Sequence, residues 1–159
     1  MQHMTTFPYK EGSVFQVPLK NGAAALGVVA RKPKGGKIVL GYFFSASASG
    51  AQGIELAHDL KAGEASHIFI FGDPYIKSGR WPIVGEINNW SRETWPVPKF
   101  LSRDPLSGKN YLVTYSDSNL ILHESREPCG LDTAGYPTDG VGDAEFVEIS
   151  LTRSAVGLA

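Results

Sequence analysis

Cysteine is nearly missing from this 159-residue sequence, which has only Cys129. A single cysteine excludes an internal disulfide and a cysteine-based zinc cluster. Its neighbours, ESREPCGLD, do not provide the strongly basic setting that activates a thiol. We therefore interpret Cys129 as structural or incidental.

Long apolar runs are missing too. The longest, AAALGVVA at 23–30, is far too short to span a bilayer. The first residues do not show the basic region followed by an apolar one that is typical of a secretory signal. We therefore expect a cytoplasmic protein that does not associate with membranes.

Catalytic motifs form a third absence. The sequence has no Gly-x-Ser-x-Gly elbow, no phosphate-binding loop of the Walker type and no His-Glu-x-x-His. Whether His58, His67 and His123 converge in space is left open by the sequence. Glu124 and Glu127 beside His123 fit either an acid–base group or a charged edge strand. We predict no enzyme activity, no cofactor and no metal site.

Charge is divided unevenly along the chain. Residues 1–110 carry 13 Lys and Arg against 8 Asp and Glu, whereas residues 111–159 carry 2 against 8. The overall formal charge is only −1, which argues against a dedicated nucleic-acid-binding protein. The acidic last third fits either a surface that attracts a basic partner or an ordinary solvated surface.

Strand signals dominate the first 44 residues. Val14 and Phe15 begin an alternating segment over 13–19, a tight turn is indicated by Asn-Gly at 21–22, and AAALGVVARK is the return strand. The cationic turn KPKGGK precedes a buried strand over 37–44. The pattern predicts a three-stranded antiparallel meander.

The remaining segments predict a mainly β fold with few helices. One short helix is expected near 53–62, and 143–156 is either a helix with Asp143 as its N-cap or a final strand. Further strands are predicted over 67–73, 111–117 and 120–126, and 75–87 is predicted to be a strand, a turn at Ser-Gly and a second strand. We expect one domain over 1–159, built as a strongly curved antiparallel sheet or a partly open barrel.

All three tryptophans lie in RWPIVGEINNWSRETWPVPKF, residues 80–100. Trp81 belongs to a strand-like stretch and is predicted to pack in the core. Trp90 and Trp95 flank a polar turn before two prolines, so they are either buried under that loop or exposed as partner anchors. Trp90 is the stronger candidate for an anchor.

Two blocks of residues resemble the immunity protein 26 family. The matching positions are Gly12, Val14, Phe15, Pro18, Leu19, Gly22 and Gly27, then Gly79, Trp81, Val84, Gly85, Pro98 and Phe100. The resemblance implies a small cytoplasmic protein of a bacterial polymorphic toxin system. Such a protein binds and neutralises one cognate toxin, encoded by an adjacent gene, and brings no catalytic residues.

The resemblance and the charge pattern together give the main functional hypothesis. A nuclease toxin would present a basic face, which acidic side chains could complement while aromatic anchors supply affinity. The candidate partner-binding residues are Trp90, Trp95, Asp117, Glu124, Glu127, Asp132, Asp139 and Asp143. The alternative is a nucleic-acid or small-ligand binding β-barrel that uses the cationic turn at 31–37 and a tryptophan-lined pocket.

Overall fold

The computed structural model describes residues 8–20, 22–35, 37–44, 57–130, 133 and 135–155. Nine strands and two helices account for most of them. The strands are β1 Ser13–Pro18, β2 Ala24–Arg31, β3 Ile38–Phe44, β4 His67–Gly72, β5 Ile83–Glu86, β6 Phe100–Arg103, β7 Asn110–Ser116, β8 Asn119–Cys129 and β9 Val141–Gly142. The helices are α1 Pro74–Lys77 and α2 Ala144–Ala155, with 3₁₀ turns at Ala57–Asp59, Ala62–Glu64 and Arg92–Thr94.

A six-stranded sheet, called the large sheet below, has the order β5-β1-β2-β3-β4-β9. The first three strands form the predicted meander, with Val14 opposite Val28 and Gly27 opposite Phe43. All neighbours in this sheet are antiparallel except β4 and β9, which pair in parallel. The predicted meander is therefore confirmed, and it forms the centre of the large sheet.

Both faces of the large sheet are covered, because alternate side chains of its strands point to opposite sides. On the helix side, Phe15, Val17, Val29, Phe43 and Phe71 pack with Trp81 and with the inward residues of α2. On the other side, Val14, Val28, Leu40, Tyr42 and Ile70 pack against Trp95, Phe100, Val113, Tyr115 and Leu120. The protein is thus layered as helix, large sheet and small sheet.

Trp81 lies at the centre of the helix-side core and is fully buried, as predicted. Its ring stacks on Phe15 with centroids 5.6 Å apart. Gly27 makes room for this arrangement, because a Cβ there would lie 2.3 Å from the Phe15 ring. The Nε1 atom of Trp81 has no hydrogen-bond partner in the part of the chain that the structure describes.

The mainly β class is confirmed, but the strands are divided between two sheets and no barrel is closed. Strands β6, β7 and β8 form a separate three-stranded sheet, called the small sheet below. The hairpin predicted over 111–126 is confirmed as β7 and β8. The chain leaves the large sheet at the end of β5, and the 3₁₀ turn Arg92–Thr94 and the prolines at 96 and 98 then separate β5 from β6, where the second sheet starts.

The helix predictions have mixed outcomes. Residues 53–56 of the segment near 53–62 lie outside the described ranges, and its described part contains the 3₁₀ turn Ala57–Asp59 and the start of a second one, Ala62–Glu64. Residues predicted as the strand starting at 75 form α1 instead, because Pro74 occupies its first position, where its fixed φ favours a helix.

The C-terminal segment is a helix, α2, and the alternative of a final strand is wrong. The backbone N–H of Phe146 donates to Asp143 Oδ1 at 2.7 Å, which confirms Asp143 as the N-cap. Neither this helix nor any other in the described ranges is long and apolar enough to cross a membrane.

Candidate partner-binding surface

The hairpin of β7 and β8 carries three of the predicted partner-binding residues, and β8 is its exposed strand. Within the described ranges, β8 pairs with β7 only, whereas the outer edge of β6 is covered by the segment 137–139. Leu101 N donates to Pro137 O, and Asp139 N donates to Leu101 O, each at 2.8 Å. The small sheet therefore presents one protected edge and one exposed edge.

Strand β8 is irregular near its start. Tyr115 and Ser116 are adjacent on β7, but their partners on β8 are His123 and Asn119, so three residues bulge out between them. A second irregularity omits Glu124 from the pairing. Bulges change the direction in which side chains project, and here residues 121 to 128 are all exposed.

Asp117, at the turn of this hairpin, forms an ion pair with the buried Arg31 of β2. Arg31 Nε donates to Asp117 Oδ1 at 2.8 Å. The same guanidinium donates to the Trp95 carbonyl at 2.9 Å and to the Arg92 carbonyl at 3.2 Å. Arg31 thereby connects the large sheet, the 92–95 loop and the hairpin turn, while 58% of the Asp117 side chain stays exposed.

Glu127 and Asp139 also have internal partners. Lys99 Nζ donates a short hydrogen bond to Glu127, and this bond raises the pKa of Lys99. Tyr115 donates its hydroxyl hydrogen to Asp139. Burial raises the pKa of Tyr115 above its ordinary value, and the bond to Asp139 adds to the shift.

Two acidic residues that the sequence analysis did not select also pair with basic residues. Glu148 is buried and accepts from Arg80 Nη2 at 3.1 and 3.2 Å, while Arg80 lies over the Tyr75 ring. Glu145 pairs with Lys20 at 3.8 Å. Glu148 shares a helical face with Ala144, Val147 and Leu151, and an acidic residue on an apolar face was the signal that could have revealed it.

The acidic residues of the last third are thus mostly paired inside the protein and do not form one patch. Asp117, Glu127, Glu145 and Glu148 pair with basic residues of the first 110, Asp139 accepts from a tyrosine, and Asp143 caps α2. Asp132 lies outside the described residues. Glu124 is the one described acidic residue beyond 111 without a hydrogen bond or ion pair from its side chain to another described residue.

The two candidate tryptophans lie in different environments. Trp95 is only 3% exposed and packs edge-on against Tyr42 with centroids 5.1 Å apart. Trp90 is half-buried and lies against Gly12, where a Cβ would come within 3.0 Å of its ring. Burial under the loop is confirmed for Trp95, which therefore offers a partner almost no surface, whereas part of Trp90 stays accessible.

The cationic turn lacks the stacking surface that nucleic-acid binding would need. Tyr42, Phe43 and Phe44 are all buried in the two cores. Arg31 is only 4% exposed and so does not belong to the solvated turn. Lys32 Nζ donates to the Tyr9 carbonyl at 2.7 Å.

His58, His67 and His123 do not come together in one site. His58 Nδ1 donates to the Glu86 carbonyl of β5 at 2.7 Å, and His67 begins β4. These positions lie toward opposite ends of the large sheet, roughly 15–20 Å apart at the usual strand spacing. His123 packs against the Tyr115 ring in the small sheet. The described residues contain no group of three or more acidic, histidine or cysteine side chains that could hold a metal ion.

The fold defines a mainly β scaffold with an exposed hairpin, and the comparison with protein families gives its class. The family model for Immunity protein 26 matches residues 10–112, about two thirds of the chain. The chain therefore belongs to the Immunity protein 26 family, and membership of an immunity-protein family points to toxin neutralisation in general. No curated protein and no solved structure matched the chain in the same comparisons.

Proposed function

We propose that this protein neutralises one cognate toxin by binding to it in a stoichiometric complex that blocks the toxin's active site, without catalysis. The observation that carries the proposal is the family match over 10–112. That range contains all of β1 to β6, so the scaffold is the part the family shares. The exposed strand β8 lies beyond it, where contacts to an individual toxin can differ between members.

The charge of the hairpin supports a toxin with a basic face, such as a nuclease that acts in the cytoplasm. Asp117 and Glu127 keep 58% and 47% of their side chains exposed despite their internal ion pairs. Together with Glu124 they give the hairpin three accessible carboxylates. Proteins that act on nucleic acids concentrate cationic side chains around the phosphate path, so complementary fields would accelerate association.

The alternative of a nucleic-acid or small-ligand binding barrel has less support. The aromatic side chains next to the cationic turn are buried, and the sheet is not closed. No feature of the described residues favours it over toxin binding.

Co-expression with the protein encoded by the adjacent gene tests the proposal. We expect the neighbouring protein to arrest growth when expressed alone, and this chain to restore growth and co-purify with it at a one-to-one ratio. Because opposite charges contribute to association, the complex should weaken as salt rises. A neighbour without toxicity, or a toxic neighbour that neither binds nor is neutralised, would contradict the proposal.

A further inference from the structure

The bulged part of β8 places two large apolar side chains in solvent. Leu120 is turned into the core with 2% exposure, whereas the next two residues, Ile121 and Leu122, are 66% and 56% exposed. In a regular hairpin, successive side chains of a strand alternate between the core and the solvent. Only one of two adjacent residues would then be exposed. The three-residue bulge between Asn119 and His123 removes that constraint.

Adjacent exposed side chains of this size are a cost in a soluble protein unless something covers them. Two nearby side chains of β8 do have a covering partner within the small sheet. His123 packs on Tyr115, and Arg126 lies 3.7 Å from the centre of the Tyr111 ring. Ile121 and Leu122 belong to neither apolar core of the described structure.

The same strand is poorly suited to main-chain pairing with another strand. Its register is broken twice, first over the three bulged residues and again at Glu124. Further along, Pro128 has no N–H to donate. Bulges and proline are the devices that protect an edge from strand addition, so a partner would have to be met by side chains.

Charge indicates what kind of partner surface fits. Glu124 is exposed and has no side-chain hydrogen bond or ion pair within the described ranges, unlike Glu127, which holds Lys99. In a typical binding anchor, apolar side chains form the centre of the contact and a charged side chain at its edge pairs with the partner. A partner with an apolar depression and a cationic side chain at its rim complements this group of residues.

We infer that Ile121, Leu122 and Glu124 form the anchor through which this protein holds its toxin. The two aliphatic side chains enter an apolar depression, and Glu124 pairs with a Lys or Arg at its edge. This inference rests on the proposed function, and it names the surface and the partner chemistry that the proposed function leaves open. All three residues lie beyond the range that the family model matches, as a contact specific to one toxin should.

The test measures binding of variants to a catalytically inactive form of the toxin encoded by the adjacent gene. Ile121→Ser combined with Leu122→Ser should weaken the complex about 30-fold or more, as expected for a central anchor. Glu124→Arg should slow association and reduce the salt dependence of its rate. Because all three side chains are exposed, the variants should unfold at the wild-type temperature.

Matched controls change the same chemistry elsewhere. Leu106→Ser alters an apolar side chain that is 96% exposed in the turn between β6 and β7, and Glu93→Arg reverses an exposed charge on the 92–94 turn. Phe146→Ser combined with Ile149→Ser alters an apolar pair of similar exposure on α2. None of these should change affinity by more than about twofold if the anchor is on β8.

The possible outcomes distinguish failure of the proposed anchor from failure of the proposed function. Wild-type binding with no loss in the β8 variants, or loss only in the α2 variant, overturns the anchor while leaving the proposed function intact. A wild-type dimer that becomes monomeric on Ile121→Ser and Leu122→Ser, with toxin affinity unchanged, assigns the surface to a second copy instead. Failure of the wild type to bind the toxin removes the proposed function and the anchor together.

Discussion

Strands β2 and β8 differ sharply in how far their side chains are buried. Seven of the eight residues of β2 are buried, whereas β8 has eleven residues of which only Leu120 and Cys129 are not exposed. The first strand is enclosed by a neighbour on each side and by a core on each face. Among the described residues, the second has one neighbouring strand, and most of its length is exposed.

The difference separates two kinds of substitution. A change in β2 or in the side chains packed on it should act on stability, because those atoms lose contacts that nothing replaces. A change at Ile121, Leu122 or Glu124 of β8 should act on binding and leave folding almost unaffected, because these exposed side chains belong to neither core. The family model covers the first strand and stops before the second, which agrees with a shared scaffold and an individual binding surface.

Trp81→Ala should give the largest change in stability of the substitutions that test this comparison. Its ring is fully buried among Phe15, Phe43 and Phe71. Removing it leaves a large cavity, so we expect the free energy of unfolding to fall by about 3–5 kcal/mol. Urea denaturation followed by circular dichroism measures the change.

The counterpart on the exposed strand is Ile121→Ala, which should change the free energy of unfolding by less than about 0.5 kcal/mol. The comparison fails if both substitutions destabilise the protein equally. Trp81→Phe separates ring volume from the indole N–H, which has no described partner. It should cost less than Trp81→Ala, because it keeps most of the packing and removes a buried donor.

Arg31→Met tests the connection between the two regions. The substitution keeps a long apolar stem but leaves the carbonyls of Trp95 and Arg92 without this donor, and Asp117 without its ion pair. Buried groups that lose a charged partner typically cost about 2–4 kcal/mol. Denaturation of the variant gives the value directly.

The exposed end of that ion pair should matter much less. Asp117→Asn leaves the guanidinium bonded to the backbone carbonyls, so we expect a loss of about 1 kcal/mol or below. Arg31→Lys should resemble Arg31→Met rather than the wild type, since an ammonium group cannot reach three separated acceptors in one plane. An innocuous Arg31→Lys would show that the buried contacts of Arg31 contribute little.

The parts of this fold that follow from local pattern were predictable. Alternating apolar residues around the Asn-Gly turn predicted the meander, and Asp143 before an apolar stripe indicated the cap of α2 as one of two alternatives for that segment. The division of the strands between two sheets was not predictable, because it depends on which surfaces distant in the sequence pack together. The prolines at 96 and 98 indicated a break in the chain, but not that β6 would start a second sheet on the opposite face from α2.

The candidate site shows the same limit. Counting charges found an acidic last third, yet it did not reveal that Arg31, Lys99 and Arg80 pair with residues of that segment. Arg31 follows seven strand residues and precedes a cationic turn, so its sequence neighbours suggested solvent. Only the approach of the 92–95 loop and the hairpin turn explains its burial. A bulge is equally hard to predict, since the sequence LILHESR alternates too weakly to fix the register.

A tyrosine of the large sheet should make the stability of the contact between the two sheets depend on alkaline pH. Burial raises the pKa of Tyr42 to about 12, although the nearby Arg31 acts in the opposite direction. Its hydroxyl donates to the Pro96 carbonyl between the two sheets. In the unfolded chain the same group has a pKa near 10, so unfolding releases its proton more easily.

A folded pKa above the unfolded value stabilises the protein fully below pH 10, and this contribution is lost as the pH rises through 12. Tyr42→Phe has no such proton to lose. Its stability deficit relative to the wild type, about 1 kcal/mol at pH 8 from the lost hydrogen bond, should shrink or change sign between pH 10 and 12. Parallel urea titrations of both proteins at several pH values measure this. Equal pH dependence of the two proteins would mean that the hydroxyl of Tyr42 is reached by water, and that the contact between the sheets is looser than the core around Trp81.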